Sequence, residues 1–282
     1  MGELLLEFNE TIQQWNTKQQ KMEVQDWFLI RSPYPVPVIL ISYWLFVLKL
    51  GPLYMKSKQP FHVTKCLTAY NIFQVLFSLY TTTLAVDFLL TYSLFPSICP
   101  GDPIELRVVL TKGSYTYLIA KISELVDTVF FVLKKNYHQI TFLHVYHHSI
   151  NIFVTWIAIK IDSVNPSGAF LAAANGIVHI IMYTYYGLST FPSMTKHLWW
   201  KKYITTLQLI QFGVIMLHHF VSYKIARCEE LNIVFLAVIF HLFLFIYLFL
   251  DFYIKTYKKN KNLKSDTTSK TKIVNKDNKK HK

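Results

Sequence analysis

The 282-residue chain has little charge for its length. Charged residues make up 16% of the sequence and hydrophobic residues 52%, with a mean hydropathy of +0.29, whereas soluble domains carry about 25% charged residues. An ordinary water-soluble globule is therefore excluded, because the polar surface is too small to cover one. The net charge of +13 does not indicate a nucleic-acid-binding fold either. Residues 255–282 contribute 11 Lys and 2 Asp to it, so the basic character belongs to a tail.

Long apolar runs take the place of the missing charge. Seven of them approach or exceed the roughly 20 residues that a helix needs to cross a bilayer, and none alternates as barrel strands do. The sequence predicts an all-α polytopic membrane protein with seven transmembrane helices. The spans lie near 34–54, 66–89, 114–133, 141–161, 168–188, 203–223 and 231–254. We expect a lumenal N-terminal segment at 1–33, the transmembrane domain at 34–254 and a disordered lysine-rich cytosolic tail at 255–282.

Basic residues divide the segments between the predicted spans into two sets. The less basic set is 1–33, 90–113, 162–167 and 224–230, and the more basic set is 55–65, 134–140, 189–202 and the tail. The positive-inside rule predicts that the second set is cytosolic. The N-terminus would then be lumenal and the C-terminus cytosolic. Residues 1–33 have no apolar core of signal-peptide length.

Three short features point to the endoplasmic reticulum. Asn9 begins a glycosylation sequon in the predicted lumenal segment. Cys99 and Cys228 both fall in predicted lumenal loops, where an oxidising compartment favours a disulfide between them. Lys279 and Lys280 resemble a dilysine retrieval signal, although a solvated tail near anionic headgroups would have the same composition.

Polar side chains within the spans are concentrated in spans three to six. Such residues are costly in a membrane and usually functional. Their spacing places them along one face of each helix. They are Lys121, Glu124, Asp127 and Thr128; His144, His147, His148 and Asn151; Asn175, His179, Tyr183 and Tyr186; and Thr205, Gln208 and Gln211.

These four polar faces predict a catalytic cavity enclosed by the later helices. Single polar residues in membrane helices often serve only to join helices, at about 0.6 kcal/mol per hydrogen bond. His218, His219, His241 and Asp251, taken singly, are better explained in that way. Four histidines together with Lys, Glu, Asp and Gln on neighbouring helices are too many for that role.

Two chemistries suit such a cavity. The HxxHH run could belong to a metal site, but it is the only such run, and two irons would need more His ligands. A mononuclear zinc bound by three His remains open, although no HExxH motif is present. The alternative is acyl transfer without a metal, in which an imidazole attacks a thioester and amide side chains stabilise the oxyanion. No Gly-x-Ser-x-Gly elbow is present, so His is the credible nucleophile, and we expect no metal and no cofactor.

Four sequence segments carry a resemblance to a known family. KISELVDT, HVYHH, NGIVHIIMYTYYG and TTLQLIQF resemble the signature boxes of the fatty acid elongases, in the family's order. The resemblance implies a very-long-chain 3-oxoacyl-CoA synthase, which joins an acyl-CoA to malonyl-CoA and releases CO2 and CoA. It also implies an endoplasmic reticulum location, contact with membrane lipid, homo- or hetero-oligomers, and the reductases and dehydratase of the elongation cycle as partners.

The same resemblance implies a role for each site residue. His147 would attack the acyl thioester, His179 would stabilise the reacting carbonyl or enolate, and His144 and His148 would orient His147. The remaining residues bind substrate or donate hydrogen bonds. Asn175, Gln208 and Gln211 are the amide donors; Lys121, Glu124 and Asp127 hold CoA or the malonyl carboxylate; Tyr183 and Tyr186 line the cavity; and Lys201 and Lys202 receive CoA phosphates.

Non-enzymatic alternatives are a lipid-binding transporter and a seven-helix receptor. A transporter would more typically carry internal repeats or helices broken by Gly and Pro, and neither is visible in the sequence. A seven-helix count alone does not indicate a receptor.

Overall fold

A computed structural model describes residues 26–95, 104–160, 166–225 and 233–259. Within these ranges the chain is helical and contains no strand. After a single helical turn at Phe28–Arg31, the helices are α1 (Pro35–Met55), α2 (Thr64–Tyr92), α3 (Ile104–Ser123), α4 (Val126–Leu133), α5 (Phe142–Lys160), α6 (Ser167–Ser189), α7 (Lys201–Ile225) and α8 (Ile233–Tyr253). The all-α prediction is confirmed.

Five helices are long and apolar enough to cross a membrane. They are Pro35–Met55, Thr64–Tyr92, Ser167–Ser189, Lys201–Ile225 and Phe235–Thr256. The prediction of a multi-pass membrane protein is thereby confirmed, but the count of seven is not. The predicted spans 114–133 and 141–161 fall short because they carry the charged and histidine-rich stripes, and because the first is divided between α3 and α4.

Six of the helices α1–α8 pack in a closed ring. α2 packs on α6, α6 on α7, α7 on α8, α8 on α5, α5 on α3, and α3 returns to α2. α1 packs against α5 and α4 beside this ring. The arrangement brings α3, α5, α6 and α7, which carry the four polar stripes, around a common interior.

Among the described helices, α2 and α6 have the most extensive contact. It depends on Gly176, where an added Cβ would lie 2.0 Å from Oγ1 of Thr82. Only a residue without a side chain leaves room here for the Thr82 side chain. α1 approaches α4 in the same way at Gly51, where a Cβ would lie 2.7 Å from Val132. Small residues at such crossings are typical of membrane helices, which gain little from apolar burial between them.

Several predicted features lie outside the described residues. They are the Asn9 sequon, Cys99, Cys228, Lys279, Lys280, and most of the segments 1–33 and 255–282. These stay predictions. The remaining cysteine, Cys66, is a free and exposed thiol at the start of α2.

Candidate active site

The polar site is built around a break in the third predicted span. α3 ends at Ser123 and α4 begins at Val126, so Glu124 and Leu125 form a turn between them. The amides after the break bond three residues back: Leu125 N–H donates to the Ile122 carbonyl, and Asp127 N–H donates to the Glu124 carbonyl. This tightened turn presents the Glu124 side chain to the interior of the helix ring.

Glu124 is the centre of a buried charge cluster. Its Oε1 lies 2.7 Å from Nζ of Lys121 and 3.0 Å from Nδ1 of His179, and its Oε2 lies 3.8 Å from Nδ1 of His148. Lys121 Nζ also donates to Oδ1 of Asn175 at 2.6 Å. Lys121 and Glu124 are only 3% and 2% exposed. A charge buried so deeply persists only when it is paired, so α3, α5 and α6 are linked at this point.

The contact between His179 and Glu124 is electrostatic in character. The two atoms are within ion-pair distance, but their angle does not meet hydrogen-bond geometry. Among the described residues, Oε2 of Glu124 and Nδ1 of His148 and of His179 have no hydrogen-bond partner. Buried polar atoms are almost always paired. Three buried atoms that have charged neighbours but no hydrogen bond therefore indicate a site suited to a ligand or to proton exchange.

The three histidines of α5 have different partners. His144 Nε2 lies 2.8 Å from the Thr128 hydroxyl, which in turn lies 2.9 Å from the Tyr43 hydroxyl of α1. His147 Nε2 accepts a hydrogen bond from the amide of Asn151 at 3.1 Å. The His148 ring packs edge-on between the other two, with centroids 4.5 Å from His144 and 5.4 Å from His147. His148 thus separates His144 from His147, and the orienting role expected for His144 and His148 stays a prediction.

Asp127 is held apart from the Lys121–Glu124 pair. Its Oδ2 accepts a hydrogen bond of 2.6 Å from the hydroxyl of Tyr183, and both residues are buried. Tyr183 thus supports the turn from α6, instead of lining either cavity described below.

Two cavities share part of their walls, and the smaller one reaches the cluster at Asn175. The smaller one is lined by His147, Asn151, Asn175 and Gln211 together with apolar side chains of α7 and α8. The larger one, of about 520 Å³, lies among the second half of α2 and parts of α3, α5 and α6. The residues common to both walls are Tyr117, Val154, Thr155, Leu171 and Val238. α2 and α3 therefore line this space as much as the later helices do.

The other predicted site residues are more dispersed. Gln211 is buried at the smaller cavity, and its Oε1 has no partner among the described residues. Gln208 contacts the Met182 sulfur at 3.8 Å. Tyr186 is 37% exposed and packs edge-on against Tyr183, outside both cavities. Lys201 and Lys202 are exposed at the start of α7.

Tyr117 is a site residue that sequence reasoning missed. Its hydroxyl donates to Oδ1 of Asn175 at 3.2 Å, and Lys121 Nζ lies 4.8 Å from its ring centroid. The sequence feature that indicates Tyr117 is its position four residues before Lys121, on the same face of the helix. Asn151 was placed on the histidine face but was given no role, and the structure pairs it with His147.

The described residues hold no group of three or more His, Cys, Asp or Glu side chains arranged to bind a metal ion. Of the three α5 histidines, His144 bonds to Thr128 and His147 to Asn151, whereas Nδ1 of His148 has no hydrogen-bond partner among the described residues.

Comparison with known proteins assigns the chain to a family. The family model described as ELO: GNS1/SUR4 family matches residues 28–265. Very long chain fatty acid elongase 7 of Rattus norvegicus is 38% identical over 255 residues, covering 87% of this chain and 89% of the relative. Very long chain fatty acid elongase 4 of Mus musculus is 38% identical over 271 residues, covering 93% and 85%. Very long chain fatty acid elongase 1 of Homo sapiens is 37% identical over 259 residues, covering 87% and 89%.

The chain belongs to the ELO family. The resemblance carried by its four sequence boxes is confirmed, since the relatives are fatty acid elongases. In this elongase-family protein, the first three boxes supply all the members of the Glu124 cluster.

The buried charge cluster predicts that removing one of its charged side chains strongly lowers the free energy of unfolding. Lys121→Met leaves the buried Glu124 carboxylate without its closest cation, so we expect a loss of about 3–5 kcal/mol of stability. The measurement is the thermal midpoint of the protein in detergent. Lys255→Met is the matched control, because Lys255 lies 2.7 Å from Asp251 in an exposed pair, and little change is expected there. The double variant Lys121→Met/Glu124→Gln should recover part of the loss. Equal midpoints for the two single variants would contradict the pairing.

Proposed function

We propose that this elongase-family protein condenses a long-chain acyl-CoA with malonyl-CoA to give 3-oxoacyl-CoA, CO2 and CoA. The observation that carries the proposal is the position of His147. Its ring lies in the wall of a cavity, between the Glu124 cluster on one side and the apolar side chains of α8 on the other. An acyl thioester needs this combination, since its carbonyl is polar and its chain is apolar.

The first half-reaction transfers the acyl group to His147. An imidazole nitrogen attacks the thioester carbonyl, the carbon–sulfur bond breaks, and CoA leaves with the electron pair of that bond and a proton. Asn151 bonds to Nε2 of His147 and so selects the tautomer with the proton on Nδ1. Once the Asn151 contact is released, the lone pair of Nε2 is free to attack.

The second half-reaction forms the new carbon–carbon bond. Malonyl-CoA loses CO2, and the electrons of the broken carbon–carbon bond form an enolate. The enolate carbon attacks the acyl-imidazole, the carbon–nitrogen bond breaks with its electron pair going to the ring nitrogen, and a proton taken up from solvent restores neutral His147. His179 and Lys121, both beside Glu124, supply polarised N–H groups for the enolate oxygen.

Asn175 is oriented to serve as an oxyanion donor. Its Oδ1 accepts hydrogen bonds from both Lys121 and Tyr117, which fixes the plane of the amide. The NH2 group is then left to donate, and Asn175 forms part of the cavity wall near His147. Gln211 offers a buried, unpartnered amide oxygen on the opposite side of the same cavity. It would accept an N–H or O–H of the substrate.

The larger cavity is the proposed site of the acyl chain. Its volume of about 520 Å³ lies within the roughly 300–1,000 Å³ of small-molecule sites. It is continuous in its lining with the His147 cavity and extends toward the end of the bundle where α2 ends and α6 begins. Lys201 and Lys202 begin α7 at the opposite end of the bundle, so CoA and the methyl end of the chain would point in opposite directions.

The remaining expectations extend the proposal to the membrane. We propose that α3–α4 and α5 also cross the bilayer, giving seven spans, because they pack within the ring beside the apolar spans. The end with Lys201 and Lys202 would face the cytosol, where CoA esters are soluble. The N-terminus would then be lumenal, in the endoplasmic reticulum.

The proposed activity is tested by incubating the purified protein with labelled malonyl-CoA and saturated acyl-CoAs of increasing length. We expect labelled 3-oxoacyl-CoA, and we expect His147→Ala to lower its rate by at least about a hundredfold, the scale of losing one catalytic group. His138→Ala, an exposed histidine in the short turn Tyr137–Gln139, is the matched control and should keep the parent rate. Label that enters no 3-oxoacyl product with any acyl-CoA would refute the proposal.

If the larger cavity holds the acyl chain, a bulkier side chain in its wall should change which acyl-chain lengths the enzyme accepts. Ala172 lines the larger cavity, so Ala172→Phe should obstruct long chains while leaving the reacting end free. We expect kcat/KM for the longest parent substrate to fall at least about tenfold, equivalent to about 1.4 kcal/mol, with shorter substrates little affected. Ile177→Phe on the exposed face of α6 is the control. An unchanged length profile for Ala172→Phe would show that the chain lies elsewhere.

A further inference from the structure

The α3–α4 break leaves the carbonyl of Ser123, like that of Lys121, without its helical partner. In a continuous helix, Asp127 N–H would donate to the carbonyl of Ser123. Here it donates to the carbonyl of Glu124 at 3.1 Å. Inside an apolar bundle an unsatisfied carbonyl costs several kcal/mol, so such a break persists only where another group satisfies the backbone.

A side chain of α2 satisfies that carbonyl. The hydroxyl of Tyr70 donates to the Ser123 carbonyl at 3.2 Å. Gln74, one turn further along α2, uses both amide protons: one is donated to the Tyr70 hydroxyl at 2.7 Å and the other to the Ser123 hydroxyl at 3.1 Å. Tyr70, Gln74 and Ser123 form a closed set of hydrogen bonds, which we call the α2 clamp.

The position of the α2 clamp connects it to the reacting groups. Gln74 is 1% exposed, and Ser123 immediately precedes Glu124 in the chain. The Tyr70 ring also packs edge-on against Tyr183, with centroids 6.2 Å apart, and Tyr183 holds Asp127 on the far side of the break. The clamp therefore contacts the structure on both sides of Glu124, although α2 contains none of the four sequence boxes.

We infer that Tyr70 and Gln74 are positioning residues, which hold the α3–α4 break open and thereby place the Glu124 carboxylate between Lys121 and His179. This inference rests on the proposed condensation for its kinetic readout. If the clamp is released, Asp127 N–H can return to the Ser123 carbonyl and the break can close into a regular helix. Glu124 would then rotate away from His179, while His147 and the acyl cavity would stay in place.

A purely structural role for the clamp would have different consequences. If Gln74 only joined α2 to α3, its loss would lower the amount or the melting temperature of folded enzyme, and each folded molecule would still turn over at the parent rate. A positioning role lowers kcat per folded molecule and leaves the KM for acyl-CoA nearly unchanged, because the substrate cavities do not contact Gln74.

The test compares the full-length parent with Gln74→Leu, Ser123→Ala and the double variant. For Gln74→Leu we expect kcat per folded enzyme to fall about tenfold, equivalent to about 1.4 kcal/mol, with KM for acyl-CoA within about twofold. The double variant should be no slower than the slower single variant, because residues that act through one contact are not additive. Gln139→Leu, in the short turn after α4, is the matched control with parent kinetics.

Hydrogen exchange of the same variants gives a readout that does not depend on turnover. The amides of Glu124, Leu125 and Asp127 should change their exchange rate in Gln74→Leu, because the clamp fixes their bonding, while amides at the other end of α3 should not. If Gln74→Leu fails to fold, Tyr70→Phe removes a single oxygen from the clamp and is judged by the same criteria.

The outcomes separate this inference from the proposed function. A parent protein that condenses malonyl-CoA, with clamp variants of unchanged kcat and unchanged exchange at 124–127, overturns the clamp and leaves the proposed function intact. A parent that forms no 3-oxoacyl product refutes the proposed function, and the exchange measurement then decides alone whether the clamp holds the break.

Discussion

The buried carboxylate of Glu124 is the group on which the rest of the site depends. It lies 2.7 Å from the Lys121 ammonium and 3.0 Å from the His179 ring. Removing two charges from water is costly, and their attraction compensates only when the geometry is close and the remaining donors are used. Lys121 meets that requirement by donating to Asn175 as well. The need to satisfy one carboxylate thus determines the relative positions of α3, α5 and α6.

The same constraint explains why the third span is broken. An unbroken helix would satisfy its backbone internally, and Glu124 would leave the helix in the direction that the regular turn dictates. The break frees the Ser123 carbonyl, which Tyr70 satisfies, and it places Glu124 at the turn itself. Three of the buried side-chain atoms that lack a hydrogen bond among the described residues lie around this turn.

Much of this site could be predicted from the periodicity of polar residues. Lys121, His148, Asn175 and His179 stand on stripes spaced by three, four and seven residues, and stripes on neighbouring helices must meet in a shared interior. The break at Glu124 could not be predicted, because KISELVDT reads as regular helix and the cause of the break lies on α2. Tyr117 was missed since a tyrosine in a membrane helix is ordinarily a packing or interfacial residue.

The number of membrane-spanning helices shows where prediction from apolar length fails. Apolar length recovered five of the predicted spans, and the two that fall short are those with the charged stripe and the histidine-rich stripe. The charged and histidine side chains lower the mean hydropathy of these helices, so a criterion based on apolar length does not recognise them as spans. Similarly, Tyr183 and Tyr186 share one helical face by spacing, but the bond to Asp127 buries the first and the second stays at the edge of the bundle. The spacing of residues predicts which face of a helix they share, whereas hydrogen-bond partners on other helices determine how deeply each side chain is buried.

The central claim is that the acyl group is carried by His147. It is tested most directly by incubating the protein with an acyl-CoA in the absence of malonyl-CoA and locating the acyl group by mass spectrometry of the digested chain. The account predicts an acyl adduct on His147 that disappears when malonyl-CoA is added. An adduct on another residue, such as the exposed thiol of Cys66, that is consumed on addition of malonyl-CoA would contradict it.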